Sequence, residues 1–473
     1  MSIWNKNIKV HNINVLKSDI ETEILIIGGG MTGLNTAYFL KDKNVCVVDS
    51  NLIGHGVTLN STAKINYFQE SIYNKIDKKK LYLESQIESI KVLKKIIETE
   101  KIECDFKKVK SYVFASTKDE VISLNKQIKF FKENNIEVKE EKLPLNIKQY
   151  KSYYVDDTYI FNPIKYLTGL YDILIKNKIN IYEKTKVIKI EKNNDCFISY
   201  TPKYKIKSKK IILACHYPYF LIPFFLPIKS TIEKSYIIVS KAKKDLNFTC
   251  INTSNPVYSI RFYDDGENIY QISLSESHEI GYDYNDKKHF ENTQKKFNIK
   301  NKDIIMKYSN VDIMTPDNIP FIGKLNSDMY IACGYNTWGM TNSVIAAKII
   351  SDLIKNKDNK YENIFNPNRF TLSNFLSLPY ILYSQTKSFI GPKLIKNRYW
   401  YKNNIKFIDN IAIYKDKNGF EHKIINKCPH MGCSLIFNET ELTWDCPCHS
   451  SRFNIDGECI KGPSNYNITY NDK

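Results

Sequence analysis

No run of about 20 apolar residues, the length a helix needs to cross a bilayer, occurs in the 473-residue chain, so no transmembrane segment is expected. The nearest candidate, YPYFLIPFFLPI from Tyr217 to Ile228, is too short and is interrupted by three prolines, which suits a packed loop better. The opening MSIWNKNIKVHN has no apolar core of a signal peptide, so no secretion signal is expected. An arginine-rich stripe is missing too. The net charge of +18 comes from lysine used throughout the chain beside asparagine and isoleucine, a compositional habit, and no nucleic-acid partner is expected. A basic face steering an acidic redox partner stays open. Six of the 11 cysteines (Cys46, Cys104, Cys196, Cys215, Cys250 and Cys333) are scattered, several inside apolar strand-like runs. They read as reduced core thiols of a cytoplasmic protein, with peripheral membrane association left open.

What the chain does have is concentrated at its two ends. Near the C-terminus, Cys428-Pro-His430 is followed by Cys446-Pro-Cys448-His449, two short arms of soft ligands close together in sequence. Two thiolates and two imidazoles suit a two-iron cluster with Cys on one iron and His on the other. A Cys2His2 zinc site uses the same ligand types, but zinc ribbons and fingers do not interleave two further cysteines such as Cys433 and Cys448. The full run CPHMGC…WDCPCHSSRF…DGECIKGPS resembles a Rieske [2Fe–2S] domain of the class whose cluster loops are tied by a disulfide. That resemblance implies Cys428 and Cys446 on one iron, His430 and His449 on the other, and a Cys433–Cys448 disulfide. It also implies that Ser451 donates to a bridging sulfide. High-potential members place a tyrosine hydroxyl on a ligating cysteine sulfur, and here that position is Phe453. Hydrogen bonds to cluster sulfurs stabilise the reduced state, so the expected potential lies below the top of the roughly −150 to +300 mV Rieske span.

The N-terminal end carries a second motif. An apolar run, Ile24–Ile27, leads into Gly28-x-Gly30-x-x-Gly33, then a helix-compatible segment, then Val45–Val48 ending at Asp49. In this strand–turn–helix–strand context the glycines allow a tight turn, close approach to a pyrophosphate and close helix packing; Asp49 is spaced to accept from a ribose hydroxyl. The continuation IGHGVTLNSTAKI, residues 53–65, resembles the loop that runs past the flavin in flavoenzymes of the D-amino-acid-oxidase type. The family's later landmarks follow in order: YEKTKVIKIE around Val187 on the adenine side, IILACHYP near the flavin, TPDNIPFIG ending at Gly323, and Gly334-Tyr-Asn-Thr-Trp338-Gly339-Met340-Thr341 opening a helix. The resemblance implies FAD rather than a nicotinamide cofactor, and a helix N-terminus stabilising negative charge on the reduced flavin.

The expected architecture is therefore α/β. It has a discontinuous Rossmann-like FAD-binding domain (1–68, 155–225 and 306–369) and an α+β substrate-binding domain (69–154 and 226–305). A connector, 370–395, too apolar for a free linker, leads to a small all-β Rieske domain, 396–473. Resemblance to Rieske-tailed FAD-dependent oxidoreductases, similar to glycine and sarcosine oxidases in the flavoprotein part, implies a small-molecule substrate, an amine, amino acid or similar C–H donor, that reduces FAD. The cluster then passes single electrons to an external protein or quinone acceptor. Reverse flow from a reduced carrier through the cluster to FAD, or a redox sensor without turnover, are the alternatives. His216, to orient substrate or flavin, and Lys64, to stabilise reduced flavin, are the catalytic candidates; His55 reads as a loop residue, and Trp338 as lining the flavin pocket. No arginine in the sequence is assignable to a substrate carboxylate, which weakens the amino-acid reading.

Overall fold

The computed structural model describes residues 2–6, 12–217, 229–254, 256–281, 283–369, 371–395 and 404–470, with backbone alone for 393–395. The segment 218–228 of the apolar run therefore lies outside the described residues, as does the start of the expected C-terminal domain at 396–403.

Apolar stretches buried on both faces, residues 24–27, 45–48 and 211–213, pair in parallel, as expected for a sheet covered by helices. Ile20–Ile27 is flanked by Val45–Val48 on one side and Lys205–Leu213 on the other, all parallel. The order across this eight-stranded sheet runs Phe321–Lys324, Met329–Cys333, Lys205–Leu213, Ile20–Ile27, Val45–Val48, Asn180–Tyr182, with the hairpin Lys189–Asn193 and Cys196–Tyr200 joined to Lys205–Leu213. Helices Met31–Phe39 and Gly339–Ile354 pack on it and on each other.

A second, nine-stranded sheet is mostly antiparallel and built from longer strands, several buried over much of their length, including Lys107–Ala115, Lys151–Ile160, Thr231–Ala242, Ile269–Glu279 and Ile304–Met314. Its outer face carries helix Asp286–Lys296, and helix Lys79–Glu100 buries Tyr82, Leu83, Ile90, Leu93, Ile96 and Ile97 on one side. Here the structure departs from the expected boundaries. The positions 155 and 306 fall inside strands Lys151–Ile160 and Ile304–Met314, which pair with Lys107–Ala115 and Thr231–Ala242, and Lys64–Ile65 pairs with Lys151–Ile160 as well. Residues 64–65, 155–160 and 306–314 thus belong to the second sheet, because each completes a hydrogen-bonded ladder that a flavin-side assignment would leave open.

The C-terminal unit is all-β, with a three-stranded sheet (Ile405–Ile408, Ile411–Lys415, Glu421–Ile425) and a four-stranded one (Ile436–Asn438, Thr443–Asp445, Arg452–Asn454, Cys459–Lys461). Trp444 and Phe453, directly opposite each other in adjacent strands, are completely buried between them with Ala412 and Ile424. The connector is a helix, Leu372–Ile395, that touches both the second sheet and this unit.

Candidate functional site

The glycine turn is built as its spacing demands. Gly28 has φ +114°, and a Cβ there would lie 2.5 Å from the Ala214 carbonyl oxygen; a Cβ on Gly33 would lie 1.8 Å from the Gly28 oxygen. Neither position tolerates a side chain. Gly30, the N-cap of helix Met31–Phe39, has no side-chain cap, so the first-turn N–H groups face the turn, where phosphate binds in such folds. Asp49 accepts from the Gly29 N–H at 2.7 Å and the Asn51 N–H at 2.8 Å. Burial raises its carboxyl against the pull of those donors. Val187 lies between strands Asn180–Tyr182 and Lys189–Asn193 and packs in the core beneath the turn.

A second helix N-terminus meets the first. Gly334 (φ +71°), Asn336 (φ +48°) and Thr337 (φ +70°) twist the chain into helix Gly339–Ile354, capped by Trp338. Left-handed backbone at a β-branched threonine costs energy and clusters at functional sites. The Tyr335 and Thr32 hydroxyls bond at 2.7 Å, so this turn sits against the first turn of helix Met31–Phe39. Thr341 accepts from the Asn66 N–H, and Trp338 Nε1 donates to Glu70 at 2.9 Å. Met340 is buried in the same turn, and Gly323 (φ +128°) sits in strand Phe321–Lys324 alongside. Two uncompensated N–H turns, strained backbone and positions closed to any Cβ fit the pyrophosphate and ring edge of FAD.

Lys64 is buried two residues before Asn66, and burial pushes its amine down to about 8, with Arg261 nearby acting in the same direction. Arg261 was missed from the sequence. It lies beneath the Trp4 ring at 4.6 Å and donates Nη1 to the Thr62 and Ala63 carbonyls at 2.9 and 2.6 Å. A lone arginine inside the alternating strand SIRFYD of a lysine-rich chain was the available signal. His216 falls elsewhere, at the boundary with the C-terminal unit, where desolvation and then Lys461 push its imidazole down to about 3.

The Cys/His arms close on one another. The Cys428 and Cys446 sulfurs are hydrogen-bonded; Cys428 also receives the His430 and Met431 N–H groups and the Ser451 hydroxyl, and Cys446 receives those of Cys448 and His449. Such donors favour thiolate. The His430 and His449 rings face each other with centroids 4.6 Å apart, and desolvation holds both imidazoles neutral, down to about 4 and about 3. Cys433 and Cys448 are disulfide-bonded, and their sulfurs lie within 4.8 Å of the Cys446 sulfur. Cys428 is held below the ordinary thiol range, while the shared hydrogen bond with Cys428 and burial push Cys446 up; two cysteine sulfurs with donor shells and two neutral imidazoles are the donor types a Rieske cluster requires. Ser451 is aimed at Cys428 itself, while its Oγ accepts from the Ser464 N–H at 2.8 Å. Phe453, buried and without a hydroxyl, offers the cluster no hydrogen bond.

The two halves are docked. Lys234, on the second sheet, reaches Asp445 at 3.0 Å and Asp286 at 2.8 Å. Arg452 forks onto Asp445 and also reaches Glu441 and Ser309, each at 2.7 Å. Lys186 donates to the Ser464 carbonyl at 2.5 Å. A cavity of about 50 Å³ remains beside Cys446 and Pro447, room for about one or two waters. Tyr217, four residues beyond strand Lys205–Leu213, packs its ring on His449 with centroids 5.5 Å apart. Sequence reasoning had placed Tyr217 only in a packed loop.

Comparison with known proteins agrees with both halves. Residues 23–353 match the model of the FAD dependent oxidoreductase family, and residues 395–470 that of the Rieske [2Fe-2S] domain. The Bacillus subtilis (strain 168) Rieske 2Fe-2S iron-sulfur protein YhfW is 28% identical over 493 aligned positions, covering 98% of this chain and 95% of its own. Two solved structures share the fold of the larger part. L-proline dehydrogenase from P. horikoshii has TM-score 0.63 and 19% identity, covering 74% of this chain and 98% of its own. Glycine oxidase from Geobacillus kaustophilus has TM-score 0.64 and 14% identity, covering 74% and 99%.

Proposed function

Because the chain belongs to the FAD dependent oxidoreductase family and ends in a Rieske [2Fe-2S] domain, we propose that it dehydrogenates a small amine, amino acid or similar C–H donor and exports the electrons through its own cluster. Bound FAD supplies two-electron oxidation, and the cluster supplies one-electron exchange. The remaining roles belong to the protein.

Gly28, Gly30 and Gly33 with the helix at Met31 hold the pyrophosphate; Asp49 takes a ribose hydroxyl, and the backbone at Val187 meets the adenine. Gly323 and the turn Gly334 to Thr341, with Trp338, Gly339 and Met340, hold the ring edge, where N–H groups favour negative charge. Lys64, cationic below about pH 8, adds positive charge to the same region. His216, held neutral, keeps the dinucleotide side and the cluster side in register. Cys428, Cys446, His430 and His449 hold the irons, and Ser451 stabilises the Cys428 thiolate.

The observation that carries this reading is one stretch of backbone. Ala214 and Cys215 lie against Gly28 of the dinucleotide turn, and Tyr217, two residues on, lies against the cluster ligand His449. Four consecutive residues thus run from the dinucleotide turn to a proposed cluster ligand within one chain, which supports the cluster as the outlet for flavin electrons. The test is anaerobic addition of amines and amino acids to the holoprotein. Flavin bleaching followed by the Rieske paramagnetic signal supports the proposal. If no donor bleaches the flavin and a reduced ferredoxin-like protein does so through the cluster, the current runs the other way.

A further inference from the structure

Helix Leu372–Ile395 is amphipathic in the wrong sense for a soluble connector. Its buried side is small and polar: Ser384 and Ser388 are almost fully buried with Ile381, Ser384 donates to Glu279, and Ser388 to the Ile280 carbonyl. Its outer side is bulky and apolar. Leu372 and Leu376 are 72% and 67% exposed, and Leu382, Tyr383 and Ile390 are about half exposed. At 100° per residue these five fall within an arc of about 120°, so they form one continuous stripe. A soluble helix buries such a stripe; exposed apolar patches mark contact with a partner or a bilayer.

The charge of the sequence that carries the stripe selects between the two. From 370 to 408 the chain contains no Asp or Glu, but it contains Lys387, Lys393, Lys396, Arg398, Lys402 and Lys406. A second copy of the chain would set one acid-free basic helix against another in a symmetric contact, with no complementary charge. An anionic lipid surface complements both features, taking the apolar stripe into the acyl boundary and the lysines at the headgroups. No helix among the described residues is long and apolar enough to cross a membrane, and this one has Pro379 and Pro392 inside it, which suits a helix lying in the interface plane.

We propose that helix Leu372–Ile395 docks the protein on anionic lipid bilayers. Ser388 on its buried side lies 3.5 Å from Cys448, and Phe389 packs against the core of the cluster domain. Docking therefore holds the cluster loop about one helix diameter, about 10 Å, from the bilayer surface.

The test is co-sedimentation of the full-length holoprotein with vesicles of phosphatidylglycerol and phosphatidylcholine, and with vesicles of phosphatidylcholine alone. Binding to the anionic vesicles, weakened by salt and reduced about a hundredfold in Leu376→Glu/Tyr383→Glu at about tenfold per lost side chain, is the expected result. Flavin absorbance and the cluster signal report that the variant is folded. Absence of binding to anionic vesicles at low salt overturns the proposal. So does a wild-type dimer that the double substitution dissociates while vesicle binding stays unchanged. The assay needs no substrate, so its failure leaves the proposed chemistry standing, and the reverse is also true.

Discussion

Replacing Lys234 by methionine tests whether the cluster domain is held by charge. The Lys234 amine lies 3.0 Å from Asp445 and 2.8 Å from Asp286, with all three side chains at most 15% exposed. At about 3 Å and an effective dielectric of about 20, each contact has a gross Coulomb energy of about 5.5 kcal/mol. Most of that offsets desolvation; removing one partner of a buried pair costs about 3–5 kcal/mol, because the remaining charge is stranded. Here Asp445 keeps Arg452, and Asp286 keeps the Tyr236 hydroxyl, so the low end, about 3 kcal/mol, is expected. At about 1.4 kcal/mol per decade, the interface should open about a hundredfold more often. Amide hydrogen exchange in residues 443–454 reads that opening directly. Lys287→Met is the control. Its pair with Glu439 is 4.0 Å long and largely exposed, a contact worth little, and exchange should not change. Unaltered protection at 443–454 in Lys234→Met, with both cofactors retained, would refute the view that this charge cluster docks the domain.

The remaining predictions address the two sites and their pH dependence. Gly33→Ala forces a Cβ to 1.8 Å from the Gly28 oxygen, so the purified variant should lose bound flavin while keeping the Rieske signal; His430→Ala should do the reverse, read by flavin absorbance and paramagnetic resonance. Phe453→Tyr should raise the cluster potential, and Ser451→Ala, which removes a donor to Cys428, should lower it in redox titrations. Burial would raise the Asp445 carboxyl, but Arg452 and Lys234 outweigh it and hold the group well below the carboxylate range. A depressed carboxyl stabilises the docked form above its unfolded value and loses that contribution as pH falls through the folded one. Protection at 443–454 should therefore decline on acidification below about pH 4, where unfolded carboxyls titrate. Lys64, lowered to about 8, loses its charge above that pH, so substrate-driven flavin reduction should slow there, and Lys64→Met should abolish the inflection.

Both cofactor sites were legible because their chemistry is local. The Cys/His arms and the glycine turn each lie within short stretches whose spacing is set by ligand geometry or by backbone crowding, as at Gly28 and Gly33. What the sequence hid was every contact between distant segments. Residues 155–160 and 306–314 read as flavin-side because they adjoin flavin-side motifs, yet long-range ladders with 107–115 and 231–242 claim them. Arg261 and Glu70 matter only once the second sheet brings them beside Lys64 and Trp338. The connector reads from sequence as too apolar for a free linker, but periodicity alone did not reveal that Ser384 and Ser388 face in while Leu372, Leu376 and Leu382 face out.

The docking residues and the proposed cluster ligands share one loop. Asp445 immediately precedes Cys446, and Arg452 immediately follows Ser451, which donates to Cys428. Asp445 meets Lys234 of the second sheet, Arg452 meets Ser309 there, and His449 between them meets Tyr217. Geometry at the irons and geometry at the flavoprotein therefore cannot vary independently. On the proposed ligand set, a loop that places Cys446 and His449 on two irons also fixes the spacing of the two charges that flank them. Loading the cluster should consequently tighten docking, and docking should favour loading, as linkage requires of two events that order one segment. Iron removal by a chelator should raise exchange not only at 428–449 but at Lys234 and Ser309 on the opposing strands. If exchange rises in the cluster loops alone, ligand geometry and docking are separable and the coupling does not exist.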